Sequence, residues 1–145
     1  MSFDPDEFCR ALVRDAPDAI VYSDADGIVR AWNTGAMRIF GYTAEEAIGR
    51  SLDLIIPENL RARHGAGYAK ILATGHSRYG AGDLMNVPAL RKDGTRISVE
   101  FSIVPCRDAA GRMIGMGAIL RDVTARYAEL RELRRALAAR EAAER

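Results

Sequence analysis

Apolar and polar residues alternate most regularly in the last third of the chain. From position 97 to 103, every second residue is Ile, Val or Phe and the residues between them are Ser or Glu. This alternation is typical of a strand with one buried face and one wet face. Turn sequences at 92–95 and 108–111 separate it from apolar stretches on both sides. We therefore predict three consecutive antiparallel strands, at 77–90, 95–105 and 112–122.

A further pair of strands is predicted near the start of the chain. Two mainly apolar stretches, 19–24 and 27–32, flank the sequence Asp24-Ala-Asp-Gly27. An Asp-Gly step between such stretches favours a tight hairpin turn. The chain therefore supplies five strands in all.

The segment between the two groups of strands has the start and stop signals of helices. Asn33 is placed to cap a helix that ends at Gly41, and Thr43 with Glu46 has the spacing of a capping box. A longer helix is predicted from Pro57 to about position 74, with Gly75 as its C-terminal cap. These helices are the available cover for the dry face of the sheet. The expected fold class is α+β, with short helices on one face of a five-stranded antiparallel sheet.

Both ends of the chain predict further helices. Near the start, Asp4 can act as N-cap, Pro5 fits the first helical position, Glu7 suggests a capping box, and Phe3 can pack on Phe8. We expect an N-terminal capping helix within 1–16 and the sheet domain over 17–124.

The last segment, 125–145, carries a leucine stripe. Leu130, Leu133 and Leu137 recur at steps of three and four among Arg, Glu and Ala. This spacing predicts an amphipathic helix with a coiled-coil seam. Fewer than three heptads are marginal alone, so the helix either pairs with a second copy, giving a homodimer, or folds back on the domain.

Composition excludes several classes of protein. The chain has 145 residues, with 21 basic and 20 acidic side chains, so it has no electrostatic footprint for nucleic acid or a membrane surface. Cys9 and Cys106 lack the spacing of a zinc site or a disulfide framework. We expect a cytoplasmic setting. No nucleophile, base and orienting group occur together in a recognisable motif, so an enzyme is not expected.

A series of short motifs gives the chain a family resemblance. Five short motifs resemble the pattern of PAS domains in order and spacing. They are Trp32-Asn33, the end of the following helix at 39–42, Ile48-Gly49, the turn at 91–94 and the sequence 121–124. The resemblance covers about residues 16–124. It implies a sensory module that binds a small ligand or gas between its sheet and helices and signals through its terminal helix to an output domain or partner protein.

Within this family, the region of His64 resembles the heme-binding PAS domains of oxygen-sensing kinases. Pro57-Glu58, Arg61 and the sequence 73–75 match the helix that carries the heme ligand in that group. The resemblance implies that His64 is the metal ligand of a heme b. In that group an arginine contacts the oxygen bound to the heme, and the resemblance places Leu84 or Met85 at its position. Met85 is therefore a candidate sixth ligand of the heme iron. The remaining candidate lining residues by this analogy are Tyr68, Tyr79, Phe101 and Ile103.

Two alternatives to heme also follow from the resemblance. Flavin-binding LOV domains share the fold but need a reactive cysteine just after position 50, where this chain has Ser51-Leu-Asp-Leu54. A covalent flavin adduct is therefore not expected. The second alternative is a PAS domain without heme that binds a small apolar ligand, or that serves in dimerisation or protein interaction.

Overall fold

The computed structural model describes residues 2–77, 80 and 82–145. Within these residues the chain forms five strands and five α-helices, with short 3₁₀ turns at Leu52–Ile55 and Glu58–Leu60. In chain order the elements are α1 (Pro5–Asp15), β1 (Ala19–Asp24), β2 (Val29–Trp32), α2 (Thr34–Phe40), α3 (Ala44–Ala47), α4 (Arg61–Thr74), β3 (Met85–Leu90), β4 (Arg96–Arg107), β5 (Met113–Asp122) and α5 (Thr124–Ala143).

The five strands form one antiparallel sheet in the order β2-β1-β5-β4-β3. Both predicted groups of strands are therefore confirmed, as is the α+β class. The last strand, β5, lies in the centre and joins the groups, with Leu120 opposite Ala19 on one side and opposite Phe101 on the other. Directly opposed residues share a face. Val21, Val99 and Leu120 are all buried and lie on the same face, which we call the inner face.

The core lies between this inner face and the helices that follow β2. Phe40, Val29 and Val99 are its largest fully buried side chains. Trp32 packs on Phe40 with ring centroids 5.6 Å apart, and its indole N–H donates to the carbonyl of Tyr42 at 2.9 Å. The helices therefore cover the sheet as the hydrophobic pattern predicts.

Asn33 joins three elements through one side chain. Its Oδ1 accepts from the amides of Ile20 (2.8 Å) and Ala36 (2.9 Å), so it caps α2 and holds the start of β1. Its Nδ2 donates to the carbonyls of Val13 (2.9 Å) and Asp18 (3.0 Å). The end of α1 is thereby fixed to the domain.

Two predicted element starts were wrong by four residues or more. The helix expected from Pro57 begins as a 3₁₀ turn, and α4 starts only at Arg61, whose Nε donates to the Ile56 carbonyl at 3.0 Å. The strand expected from position 77 begins at Met85, opposite Phe101. Before it, Gly80 and Asp83 form a local turn, with the Gly80 amide donating to the Asp83 carboxylate at 2.7 Å.

At the N-terminus, the Asp4 cap and the Phe3–Phe8 packing are confirmed, with ring centroids 5.7 Å apart. The capping box predicted with Glu7 is not formed. Asp4 accepts from the amide of Asp6, and Glu7 instead pairs with Arg10 one turn further on.

The terminal helix α5 runs away from the sheet. Its first residue is anchored because the Thr124 hydroxyl accepts from the Ser98 amide at 3.0 Å. Beyond this point it buries no residue, and Leu133 and Leu137 are 60% and 57% exposed. In this structure α5 does not fold back on the domain. None of the described helices is long and apolar enough to cross a membrane.

The first prediction concerns Gly35, in the first turn of α2. A Cβ at this position would lie 2.0 Å from the Asp18 carbonyl oxygen and 2.7 Å from that of Ala16. Because both are backbone atoms held at the Asn33 junction, Gly35→Ala should lower the free energy of unfolding by about 2 kcal/mol or more in urea denaturation.

Gly67→Ala in α4 is the matched control. A Cβ there meets nothing within 4 Å, so this change should raise stability by about 0.5–1 kcal/mol. Equal stability of the two variants would contradict the packing described at Gly35.

The second prediction concerns acid stability. The Glu46 carboxylate accepts from the Lys92 ammonium and from the Thr43 amide, and these bonds lower the pKa of Glu46 from 4.5 to about 2. As pH falls below 4.5, the unfolded chain takes up the proton first, so stability that is present above that pH is lost towards pH 2.

Glu46→Gln keeps an acceptor for the Thr43 amide but cannot titrate. In denaturation curves taken between pH 6 and 3, the wild type should therefore lose more stability than the variant. Parallel losses in the two proteins would refute this role for Glu46.

Candidate functional site

One face of α4 lines an open, cleft-like cavity at the end of the sheet. His64, Tyr68 and Leu72 stand four residues apart, which places them on the same side of the helix. Together with the β1–β2 turn, the residues 51–53 and Met113, they line a cavity of about 630 Å³. Its volume lies within the range of small-molecule sites.

His64 is half-buried in this cavity. Burial lowers the pKa of its imidazole, and the nearby Asp53 carboxylate partly opposes that shift. Among the described residues neither ring nitrogen has a hydrogen-bond partner, and the ring centroid lies 6.1 Å from that of Tyr68. Neutral imidazole with an unengaged nitrogen is the form that binds a metal ion.

Tyr68 points from α4 to the end of β1. Its hydroxyl lies 2.6 Å from the Asp24 carbonyl and 2.9 Å from the Ser23 hydroxyl. Burial is the main cause that raises the pKa of Tyr68, so the group stays protonated and can donate. Ser23 is one of the few buried polar residues of the core, and Tyr68 supplies its partner.

Three other predicted lining residues form a second group on the inner face of the sheet. Met85 lies directly opposite Phe101 on the neighbouring strand, and Ile103 follows on the same face opposite Ala118. All three predicted residues are half-buried, so this end of the inner face is incompletely covered. They are not among the residues that line the His64 cavity.

Two predicted residues join neither group. Leu84 precedes β3 and is 65% exposed. Tyr79 lies outside the described residues. Their assignment to a ligand site therefore stays a prediction.

Sequence reasoning missed the acidic rim of the cavity. Asp26 and Asp53 both line it, from the β1–β2 turn and from the turn after α3. The first belongs to the Asp-Gly hairpin signal, but nothing in the sequence indicates that the two segments meet at His64. Their proximity depends on the bridge between Ile28 and Ser51.

The residues present fit a heme in two respects and not in a third. His64 offers a neutral nitrogen, and the half-buried apolar inner face suits an apolar macrocycle. The carboxylates of Asp26 and Asp53 would repel the anionic propionates. Within the described residues no cluster of three or more acidic, His or Cys side chains could hold a metal ion.

Neither cysteine lines this cavity. Cys106 is half-buried on β4, and Cys9 is exposed on α1. Cys9 lines a separate open groove of about 770 Å³ between α1 and β1, β2 and α2, a feature that sequence reasoning also missed.

A family model described as the PAS fold matches residues 13–128. Three curated relatives are also similar. They are an uncharacterised protein of Azorhizobium caulinodans (35% identity, 87% of this chain), the sensor protein FixL of Bradyrhizobium diazoefficiens (33%, 65%) and the oxygen sensor protein DosP of Escherichia coli (26%, 91%). The chain spans only 17%, 18% and 16% of their respective lengths.

Solved structures agree with the fold. The PAS domain of a Colwellia psychrerythraea protein is 24% identical with a TM-score of 0.72, covering 83% of this chain and 98% of that one. An RNA-binding light-oxygen-voltage receptor is 25% identical with a TM-score of 0.72, covering 92% of this chain and 37% of that one.

Proposed function

Because this chain belongs to the PAS-fold family, we propose that it is a sensory module that binds a small ligand beside α4 and relays its presence through α5. The observation that carries the proposal is the cavity beside α4 that His64 lines. The similarity to FixL and DosP supports a sensing role. We propose no catalytic role for the chain.

The ligand we propose first is heme b held by His64. Burial favours the neutral imidazole that iron requires, and no hydrogen bond within the described residues competes for its nitrogens. Bound heme would supply an iron centre that responds to gases or to redox state. By the family analogy Met85, Phe101 and Ile103 would form the apolar wall, with Met85 as a candidate sixth ligand. To reach them, the heme would have to extend from the His64 cavity to the inner face.

The alternative is a small apolar ligand without iron, or a module that serves only in protein interaction. The carboxylates of Asp26 and Asp53 favour this alternative, because they disfavour the heme propionates at this rim. Mass spectrometry of the freshly purified protein under native conditions separates the cases. A bound organic molecule without heme would support the alternative.

The third prediction tests heme at His64. Protein reconstituted with hemin should show a sharp Soret band, and His64→Ala should abolish it because the iron loses its ligand. His76→Ala is the matched control, since His76 is exposed in the loop after α4 and its loss should leave the spectrum unchanged. A Soret band that survives in His64→Ala would rule out His64 as the ligand.

We also propose that α5 forms a parallel pair with the α5 of a second copy, and that the output lies in a domain or partner protein outside this chain. The stripe of Leu130, Leu133 and Leu137 is exposed in the single chain. Burying such leucines stabilises by about 1.5–3 kcal/mol each. A paired stripe would remove this apolar surface from water.

The fourth prediction tests that pairing. Leu133→Glu with Leu137→Glu should convert a dimer into a monomer in light scattering at fixed concentration, because two charges enter the seam. Ala128→Glu with Ala139→Glu adds the same charge on the opposite side of α5 and should leave the dimer intact. A wild-type monomer at high concentration would refute the pairing.

A further inference from the structure

We infer that Tyr68 is a positioning residue for His64. Its hydroxyl bonds to Ser23 and Asp24 at the end of β1, a contact that we call the latch, and so holds the middle of α4. Gly65 and Gly67 make the segment between His64 and Tyr68 easy to deform. The inference rests on the proposed ligand role of His64 and adds the contact that would hold this histidine in the cavity. Tyr68 then acts on the ligand through the position of α4 and His64.

The latch has a complete hydrogen-bond geometry. The Tyr68 hydroxyl has one proton, and the shortest contact, 2.6 Å to the Asp24 carbonyl, receives it. The Ser23 hydroxyl then donates back to Tyr68 at 2.9 Å, which satisfies a polar group that is only 3% exposed. Breaking the latch would leave Ser23 buried without this partner, which is costly.

Besides this contact, only the partial burial of His64, Ile71 and Leu72 holds the middle of α4 among the described residues. The helix buries no residue fully. Its start is tied by Arg61 to the Ile56 carbonyl, and its C-cap Gly75 accepts from Arg107 at 2.8 Å. Among the described residues, Tyr68 is the one side chain of α4 that hydrogen-bonds to a strand. Tyr68 therefore supplies the polar contact that fixes the helix between its ends.

The two glycines have no packing reason to be glycine. Neither Gly65 nor Gly67 has a positive φ, and a Cβ at either position would meet nothing within 4 Å. Glycine in a helix interior weakens it by about 1 kcal/mol relative to alanine. Both stand between His64 and Tyr68, so the weak segment lies between the proposed ligand residue and the latch.

The latch also joins α4 to the centre of the sheet. Ser23 and Asp24 lie opposite Met116 and Gly115 at the start of β5, and β5 leads directly into α5. A shift of α4 would therefore displace the β1–β5 pair, and β5 precedes the terminal helix α5.

The fifth prediction tests the latch by amide hydrogen exchange in the whole chain without ligand. Tyr68→Phe should speed exchange about tenfold in 62–74 and around 23–28, because the bonds to Ser23 and Asp24 are lost. Exchange in β4 should not change. Adding Gly65→Ala and Gly67→Ala to Tyr68→Phe should restore most of the protection in 62–74 but not around 23–28, where the bonds to Ser23 and Asp24 stay lost.

Tyr42→Phe is the matched control. Tyr42 is also half-buried, and its hydroxyl makes no hydrogen bond within the described residues. This variant should exchange like the wild type. Unchanged exchange of α4 in Tyr68→Phe, or faster exchange spread evenly over the whole chain, would overturn the latch.

A second measurement uses hemin. Tyr68→Phe should keep the His64-dependent Soret band but release hemin several-fold faster to a heme scavenger, and the two alanines should slow that release again. Equal release rates in Tyr68→Phe and wild type would overturn the positioning role. If the wild type shows no His64-dependent band, heme at His64 fails, while the exchange experiment still decides the latch.

Discussion

The architecture depends on the junction at Asn33. One amide side chain holds the end of α1, the start of β1 and the first turn of α2. Gly35 allows α2 to approach so closely that any side chain there would collide with the Asp18 carbonyl. These groups are desolvated together, so each bond depends on the others being in place. The well-packed half of the core is built from this point.

The opposite half of the inner face is built differently. Around Phe40 and Val29 the sheet is fully covered, whereas Met85, Phe101 and Ile103 remain half-buried and α4 buries nothing completely. The inner face is therefore tightly packed at one end and loosely packed at the other. A domain meant to report on a ligand needs this asymmetry, because an element with few buried contacts moves at low cost.

The central position of β5 connects the two halves to the terminal helices. Its first residue, Met113, lines the His64 cavity. Its last residue, Asp122, stands two positions before Thr124, which is bonded to Ser98. Near the same end, Arg121 forms a two-bond ion pair with Asp18, at 3.2 and 2.8 Å. This pair ties the segment after α1 to the strand that enters α5. The N-terminal and C-terminal helices therefore meet the domain at neighbouring points of one sheet.

The sequence determined the elements whose signals are local. Alternation in β4, the Asp-Gly turn, the Asn33 cap and the Thr43–Glu46 capping box all act within a few residues, and each is confirmed. The family motifs also placed His64 on α4. Only the tertiary structure decided which strand lies in the centre, that Asp26 and Asp53 meet at His64, and that Tyr68 bonds to Ser23. These contacts join residues far apart in the chain, and their energies depend on burial that the whole fold creates.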